Sequence, residues 1–109
     1  MRIRIFYWKT ADWCSKVSFD EALPTPDQIK ADYGLVYDHD RLNLPYGDEQ
    51  ICQSLFRQFN LKDMIGQKVA KAVGHTSMSI GDIIDLAGDA YIVRSIGFSK
   101  VELPLESKV

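Results

Sequence analysis

Three short apolar runs near the end of the chain constrain its fold more than any other feature. Short β-branched runs punctuated by Gly and Asp are typical of consecutive antiparallel strands joined by tight turns. We therefore predict a three-stranded meander, onto which the earlier part of the chain packs. The runs are residues 83–86, 91–93 and 98–101, and they are separated by Gly81-Asp82, Gly88-Asp89 and Gly97.

The first half of the chain supplies further strands. Residues 2–9 alternate in a way that predicts a strand with large side chains on both faces. Residues 10–14 are predicted to form a loop that contains Trp13, and residues 16–19 a short second strand. Residues 33–37 are predicted to form another strand, which Asp38-His39-Asp40 closes, before a loop over residues 43–47 that carries Tyr46.

Helical signals occupy three places. Thr25 followed by Pro26 predicts the cap and the first position of a brief helix that ends near residue 31. Ile51, Leu55 and Phe59 recur at four-residue spacing, which predicts an amphipathic helix over residues 48–60 with Asp48 as its cap. The same spacing predicts a second helix over residues 61–73.

Together these patterns predict one small α+β domain over residues 1–104, followed by a frayed tail at residues 105–109. The domain has an antiparallel sheet of about five strands and one or two packed helices. A chain of 109 residues is long enough for one core of this kind. We expect Cys52 to lie in that core as a small apolar side chain.

Composition excludes several classes of protein. The two cysteines, Cys14 and Cys52, have no zinc-like spacing, and no cofactor-binding loop is present. No apolar stretch approaches the roughly 20 residues that a membrane span requires. The N-terminal apolar run is interrupted by Arg2 and Arg4, unlike a signal peptide. We therefore expect a cytoplasmic protein with free thiols and no metal or cofactor.

Few residue clusters could perform catalysis. Ser77 and Ser79 precede Gly81 and could bind a phosphate, but serine hydroxyls more often satisfy backbone groups at a tight turn. His75 is close in sequence to Ser77, although sequence proximity alone does not make a triad. The segment Asp38-His39-Asp40 could offer ligands to a metal ion. Consecutive residues of a strand point to opposite faces, so at most the two carboxylates would converge on one metal. We therefore predict that the protein is not an enzyme.

Charge is unevenly distributed along the chain. Residues 20–49 carry eight acidic and two basic side chains, a net charge of −6. The alternative to an acidic binding surface is a thin basic strip on the predicted second helix. It consists of Lys62, Lys68 and Lys71 and could contact nucleic acid together with Arg2 and Arg4. A sequence pI of about 5.6 disfavours that alternative.

One motif resembles a known family. The chain is similar to the YodL-like domain of phage, plasmid and conjugative-element proteins over roughly residues 30–103. The resemblance implies a mobile genetic element as the setting and no known chemistry. The matching pieces are Phe59-Asn60, Ser77-Met78-Ser79-Ile80-Gly81-Asp82-Ile83-Ile84, Tyr91 and Gly97-Phe98, together with residues 33–37 and the helix that begins at Asp48.

These observations lead to a functional hypothesis. We expect a non-catalytic, phage-borne inhibitor of a host defence complex, of the anti-CRISPR or anti-restriction type, that binds a host protein through an acidic surface. A small nucleic-acid-binding accessory protein and an uncharacterised enzyme are the alternatives. The predicted partner-binding residues are Asp38, Asp40, Asp48 and Glu49, with Trp13 and Tyr46 as exposed aromatic anchors.

Overall fold

The computed structural model describes residues 1–41, 45–60 and 78–105. The first two ranges form strand β1 (Arg2–Trp8), helices α1 (Asp12–Phe19) and α2 (Pro26–Asp32), strand β2 (Tyr33–Asp40) and helix α3 (Asp48–Asn60). The last range forms strands β3 (Ile83–Leu86), β4 (Asp89–Val93) and β5 (Phe98–Val101). The predicted helix over residues 61–73, with its basic strip, lies outside the described residues, as do Ser77 and His75.

The five strands form one antiparallel sheet in the order β2-β1-β3-β4-β5. The predicted α+β class and the predicted meander of β3, β4 and β5 are confirmed. Strand β1 lies inside the sheet, between β2 and β3, because its five consecutive residues 3–7 are all buried. A strand with large side chains on both faces must be covered on both sides.

Helix α3 covers one face of the sheet. The predicted stripe of Ile51, Leu55 and Phe59 is buried against the sheet, where Ile5 of β1 belongs to the same core. Cys52 lies fully buried in this core, as predicted. Burial raises the pKa of the Cys52 thiol to about 12, so this side chain stays a neutral apolar group at physiological pH.

Helices α1 and α2 cover the opposite face, and here the sequence predictions were partly wrong. Residues 12–19 form one helix, whereas we predicted a loop followed by a short strand. Trp13 and Val17, one helical turn apart, are both buried against the sheet. A stripe of only two apolar residues is too short for its helical period to be recognised in the sequence.

The predicted start of α2 is confirmed. The side chain of Thr25 accepts a hydrogen bond from the Gln28 backbone N–H, and the Gln28 side chain accepts one from the Thr25 N–H. Pro26 occupies the first turn, as predicted. Because Tyr33 both ends α2 and begins β2, the helix leads directly into the edge strand of the sheet.

The motif at residues 79–82 forms a turn that joins several strands. The Asp82 N–H donates to the Ser79 carbonyl, and the Asp82 carboxylate accepts from the N–H groups of Ser79 and Trp8, at 2.8 and 3.0 Å. The hydroxyl of Tyr33 donates to the Gly81 carbonyl. Gly81 has a φ of 94°. The backbone N–H and C=O groups of Ser79 therefore hold the turn together, and the role predicted for its hydroxyl stays a prediction.

Replacing Gly81 by Ala tests this turn. A Cβ at this position would lie 3.1 Å from both the Trp13 carbonyl oxygen and the Trp8 ring, in a backbone conformation that favours glycine. We expect Gly81→Ala to lower the free energy of unfolding by roughly 2–4 kcal/mol in urea denaturation. Gly88→Ala is the matched control, because its φ is also positive but nothing lies within 4 Å. Equal losses for both variants would contradict the role of close packing at Gly81.

Candidate partner-binding surfaces

Two of the predicted carboxylates, Asp38 and Asp40, lie on the end of β2. The prediction that residues 38–40 close the strand was wrong, because β2 continues through them and pairs Asp38 with Arg4 and Asp40 with Arg2. Arg2 donates two hydrogen bonds to the Asp38 carboxylate, at 2.9 and 2.8 Å, and lowers its pKa. Asp40 is 86% exposed and lies 3.2 Å from the amino group of Met1.

The neighbouring residues neutralise this pair. Arg4 is 7% exposed and donates to the Asp85 carboxylate at 2.8 Å, and Asp85 is 1% exposed. Met1, Arg2 and Arg4 therefore supply three positive charges beside the carboxylates of residues 38, 40 and 85. The end of β2 has no large excess of negative charge. Asp40 is the most exposed of these three carboxylates and is therefore the most accessible to a partner.

The buried pair Arg4–Asp85 makes a separate prediction about stability. We expect Arg4→Met to lower the free energy of unfolding by about 3–5 kcal/mol, because it leaves the Asp85 carboxylate buried without its cation. The double variant Arg4→Met/Asp85→Asn is expected to recover much of that loss, as measured by urea denaturation in a double-mutant cycle. Additive losses in the double variant would contradict a direct interaction between the two side chains.

The other two predicted carboxylates, Asp48 and Glu49, open helix α3. The Ile51 N–H donates to the Gly47 carbonyl, so Asp48 lies in the first turn rather than at the predicted cap position. Negative charge in the first turn suits the helix dipole. The carboxylate of Asp48 accepts a hydrogen bond of 2.6 Å from the hydroxyl of Tyr91 on β4. Glu49 is exposed.

The four predicted carboxylates therefore do not form one surface. Asp38 faces the same side of the sheet as Arg4, whereas α3 packs against Ile3 and Ile5 on the other side. Helix α3 also crosses the sheet, from Asp48 over β4 to Phe59, which packs edge-on against Tyr37 of β2. Three strand spacings, roughly 14 Å, separate β4 from β2.

The contact between Tyr91 and Asp48 predicts a pH dependence. The hydrogen bond to the Asp48 carboxylate raises the pKa of Tyr91 to about 12. The pKa is higher in the folded state than in the unfolded state, so this contact stabilises the fold below pH 10 and its contribution is lost between pH 10 and 12. In ¹³C NMR of Tyr Cζ, we expect Asp48→Asn to lower the pKa of Tyr91 towards 10. An unchanged pKa in this variant would contradict the assignment.

The two predicted aromatic anchors have different environments. The prediction that Trp13 is exposed in a loop was wrong, because Trp13 lies in α1 and is 2% exposed. Its indole N–H donates to the Asp32 carboxylate at 2.8 Å, and the Lys16 ammonium lies 4.6 Å from the ring centroid. Trp13 is therefore a core residue. Tyr46 is 59% exposed, as predicted for a loop residue.

Sequence reasoning missed two other exposed apolar residues. Phe19, the last residue of α1, is 84% exposed, and Ile96, in the turn between β4 and β5, is 94% exposed. Ile96 lies between Ser95 and Gly97, where turn residues are normally polar, so the sequence did carry a signal. Phe19 carried no such signal, because its exposure depends on the direction of a helix that was not predicted.

The residues of the alternative functions are mostly engaged in the fold. Arg4 is buried in its ion pair and is not presented as a phosphate contact, whereas the exposed Arg2 guanidinium is bound to the Asp38 carboxylate. His39 packs against the Tyr37 ring at 4.5 Å and faces the side opposite Asp38 and Asp40. Among the described residues, no group of three or more His, Cys, Asp and Glu side chains has the geometry of a metal site.

Within the described ranges, no helix is long and apolar enough to cross a membrane. Both cysteines there are unpaired thiols. Comparison of the chain with protein-family models, with curated proteins and with solved structures found no match. The resemblance to the YodL-like domain therefore stays a prediction based on the residues of the motif.

Proposed function

We propose that this protein acts by binding another protein and that it antagonises a host defence complex, such as a CRISPR effector or a restriction enzyme. The observation that carries the proposal is the net negative charge of the surface that the described residues form. Nine carboxylates and six basic side chains are exposed among the described residues, so a basic partner is favoured over nucleic acid. Defence complexes hold nucleic acid in basic grooves, which a small acidic protein would occupy.

The predicted carboxylates differ in how accessible they are to a partner. Asp40 and Glu49 are exposed, Asp38 is exposed but held by Arg2, and Asp48 is held by Tyr91. Exposed charges contribute little affinity on their own, but they steer association and select partners of opposite charge. Because Trp13 is buried, Tyr46 is the one of the two predicted aromatic anchors that is exposed.

The setting in a mobile genetic element is supported by the resemblance of residues 30–103 to the YodL-like domain, and by nothing else. A nucleic-acid-binding role would depend on Lys62, Lys68 and Lys71, which lie outside the described residues. A catalytic role has no candidate cluster in residues 1–41, 45–60 and 78–105. The binding function is therefore the one that the described side chains favour.

A phage-protection assay tests this proposal. The protein is expressed in hosts that carry a panel of defence systems, and plaques are counted for Asp38→Asn/Asp40→Asn and for Asp48→Asn/Glu49→Gln. The two pairs lie on opposite sides of the sheet, so we expect one pair to reduce plaque counts at least tenfold and the other to have little effect. Asp27→Asn/Asp89→Asn is the matched control, because it removes the same charge from exposed positions elsewhere.

Two results would contradict the proposal. If both acidic double variants protect the phage as well as the unmodified protein does, the acidic-surface mechanism is wrong. If the unmodified protein protects against no system in the panel, the role against host defence is wrong. Salt-sensitive retardation of DNA or RNA by the purified protein would favour the nucleic-acid alternative instead.

A further inference from the structure

The end of helix α1 and the turn between β4 and β5 meet at one corner of the molecule. We call this the α1 corner and define it by Phe19, Asp20, Glu21, Arg94 and Ile96. Arg94 connects the two elements, because its guanidinium lies 3.8 Å from the Glu21 carboxylate. The two most exposed large apolar residues of the described chain, Phe19 and Ile96, both belong to this corner.

A shallow cavity of about 160 Å³ lies at the α1 corner. Val17 and Ile96 supply its apolar lining, and Glu21 and Arg94 supply charged groups. Ser18 also lines the cavity, whereas Phe19, the next residue of α1, lies outside it. A cavity of this size has room for one aliphatic or aromatic side chain, since a cavity of about 150 Å³ holds a benzene molecule.

The local chemistry of the corner is unfavourable for the isolated protein. Asp20 and Glu21 follow the C-terminal end of α1, where the helix dipole favours cations. Glu21 has a φ of 52°, a conformation that favours glycine. Phe19 and Ile96 expose apolar surface to water. Local rules are expected to be broken mainly where function requires it, so the meeting of these three violations at one corner points to a site.

The sheet edges offer weaker candidates. Strand β2 has a bulge at Val36 and ends in charged residues, and β5 has four residues, one of which is Lys100. Bulges, short length and charged side chains are the features that protect edge strands from pairing with another chain. The described edges are therefore protected, whereas the α1 corner is not.

We propose that the α1 corner binds a protein segment that carries one apolar side chain next to a Lys or Arg. The apolar side chain enters the cavity and packs against Val17 and Ile96. The base of the partner pairs with Glu21 and Asp20, where it also neutralises the end of the helix dipole. Arg94 is displaced from Glu21 and keeps its 3.1 Å hydrogen bond to the Ser99 hydroxyl.

This site deepens the proposed function and rests on its first part, that the protein acts as a binder. It does not depend on the partner belonging to a defence system. Charge complementarity selects a basic segment, because both carboxylates of the corner are exposed and the pair between Arg94 and Glu21 is long. A second copy of this chain is a different occupant, which the experiment below distinguishes.

The probe is a library of random 12-residue peptides displayed on phage and selected on the immobilised protein. We expect enriched peptides to contain an apolar residue within a few positions of Lys or Arg. Synthetic peptides are then titrated by fluorescence polarisation. Ile96→Ser is expected to raise Kd at least tenfold, and Glu21→Gln to raise it two- to fivefold. Because Ile96 and Glu21 are both exposed, these variants are expected to fold.

Tyr46→Ser is the matched control, since it removes an exposed apolar side chain elsewhere and is expected to change Kd less than twofold. Glu21→Gly separates binding from folding. It removes the strained conformation, so we expect the Tm to stay equal or to rise while peptide binding weakens. A lower Tm would show instead that Glu21 serves the fold, and it would contradict the proposal.

Other results would also overturn this proposal. Examples are an absence of enriched peptides, enriched peptides without a base, and equal binding to Ile96→Ser. Sedimentation equilibrium tests the second copy as occupant, and self-association that Ile96→Ser abolishes would replace the proposed segment with a homodimer. None of these results depends on phage protection, so failure of the defence assay and failure of this site can be told apart.

Discussion

The fully buried carboxylate of Asp82 is the interaction on which the rest of the structure depends. It accepts the N–H of Trp8 at the end of β1 and the N–H of Ser79, and the Asp82 carbonyl accepts the N–H of Val93 from β4. The turn that holds it also receives the Tyr33 hydroxyl from β2. One turn therefore joins the interior strand β1, the meander and the edge strand β2. A buried carboxylate is tolerated only where such donors surround it.

Strand β1, which is hydrogen-bonded to this turn through Trp8, lies inside the sheet between β2 and β3. Its residues 3–7 are buried on both faces, which requires α3 on one side and α1 with α2 on the other. This arrangement sends Asp38 and Asp40 to one side of the sheet and Asp48 and Glu49 to the other. The carboxylates of a sequence segment with a net charge of −6 are thus divided between two separate surfaces. At the end of β2, the positive charges of neighbouring residues neutralise them.

Local patterns predicted the strands, α2 and α3, because their periods and caps depend only on residues close in sequence. The cross-strand partners of Asp38 and the burial of Trp13 could not be predicted in this way, since both depend on contacts between distant segments. Helix α1 was missed because its buried stripe has only two residues, and Phe19 was missed with it. The α1 corner brings together residues about 75 positions apart in the chain, which only the fold reveals.

Our central claim is that the Ser-Ile-Gly-Asp motif at residues 79–82 is the structural centre of the domain. Native-state amide hydrogen exchange tests it most directly. We predict that the amides of Trp8, Gly81 and Val93 exchange only through global unfolding, with the same free energy as Leu55 in α3. Exchange of these three amides through a local opening that costs several kcal/mol less, while Leu55 keeps full protection, would contradict the account.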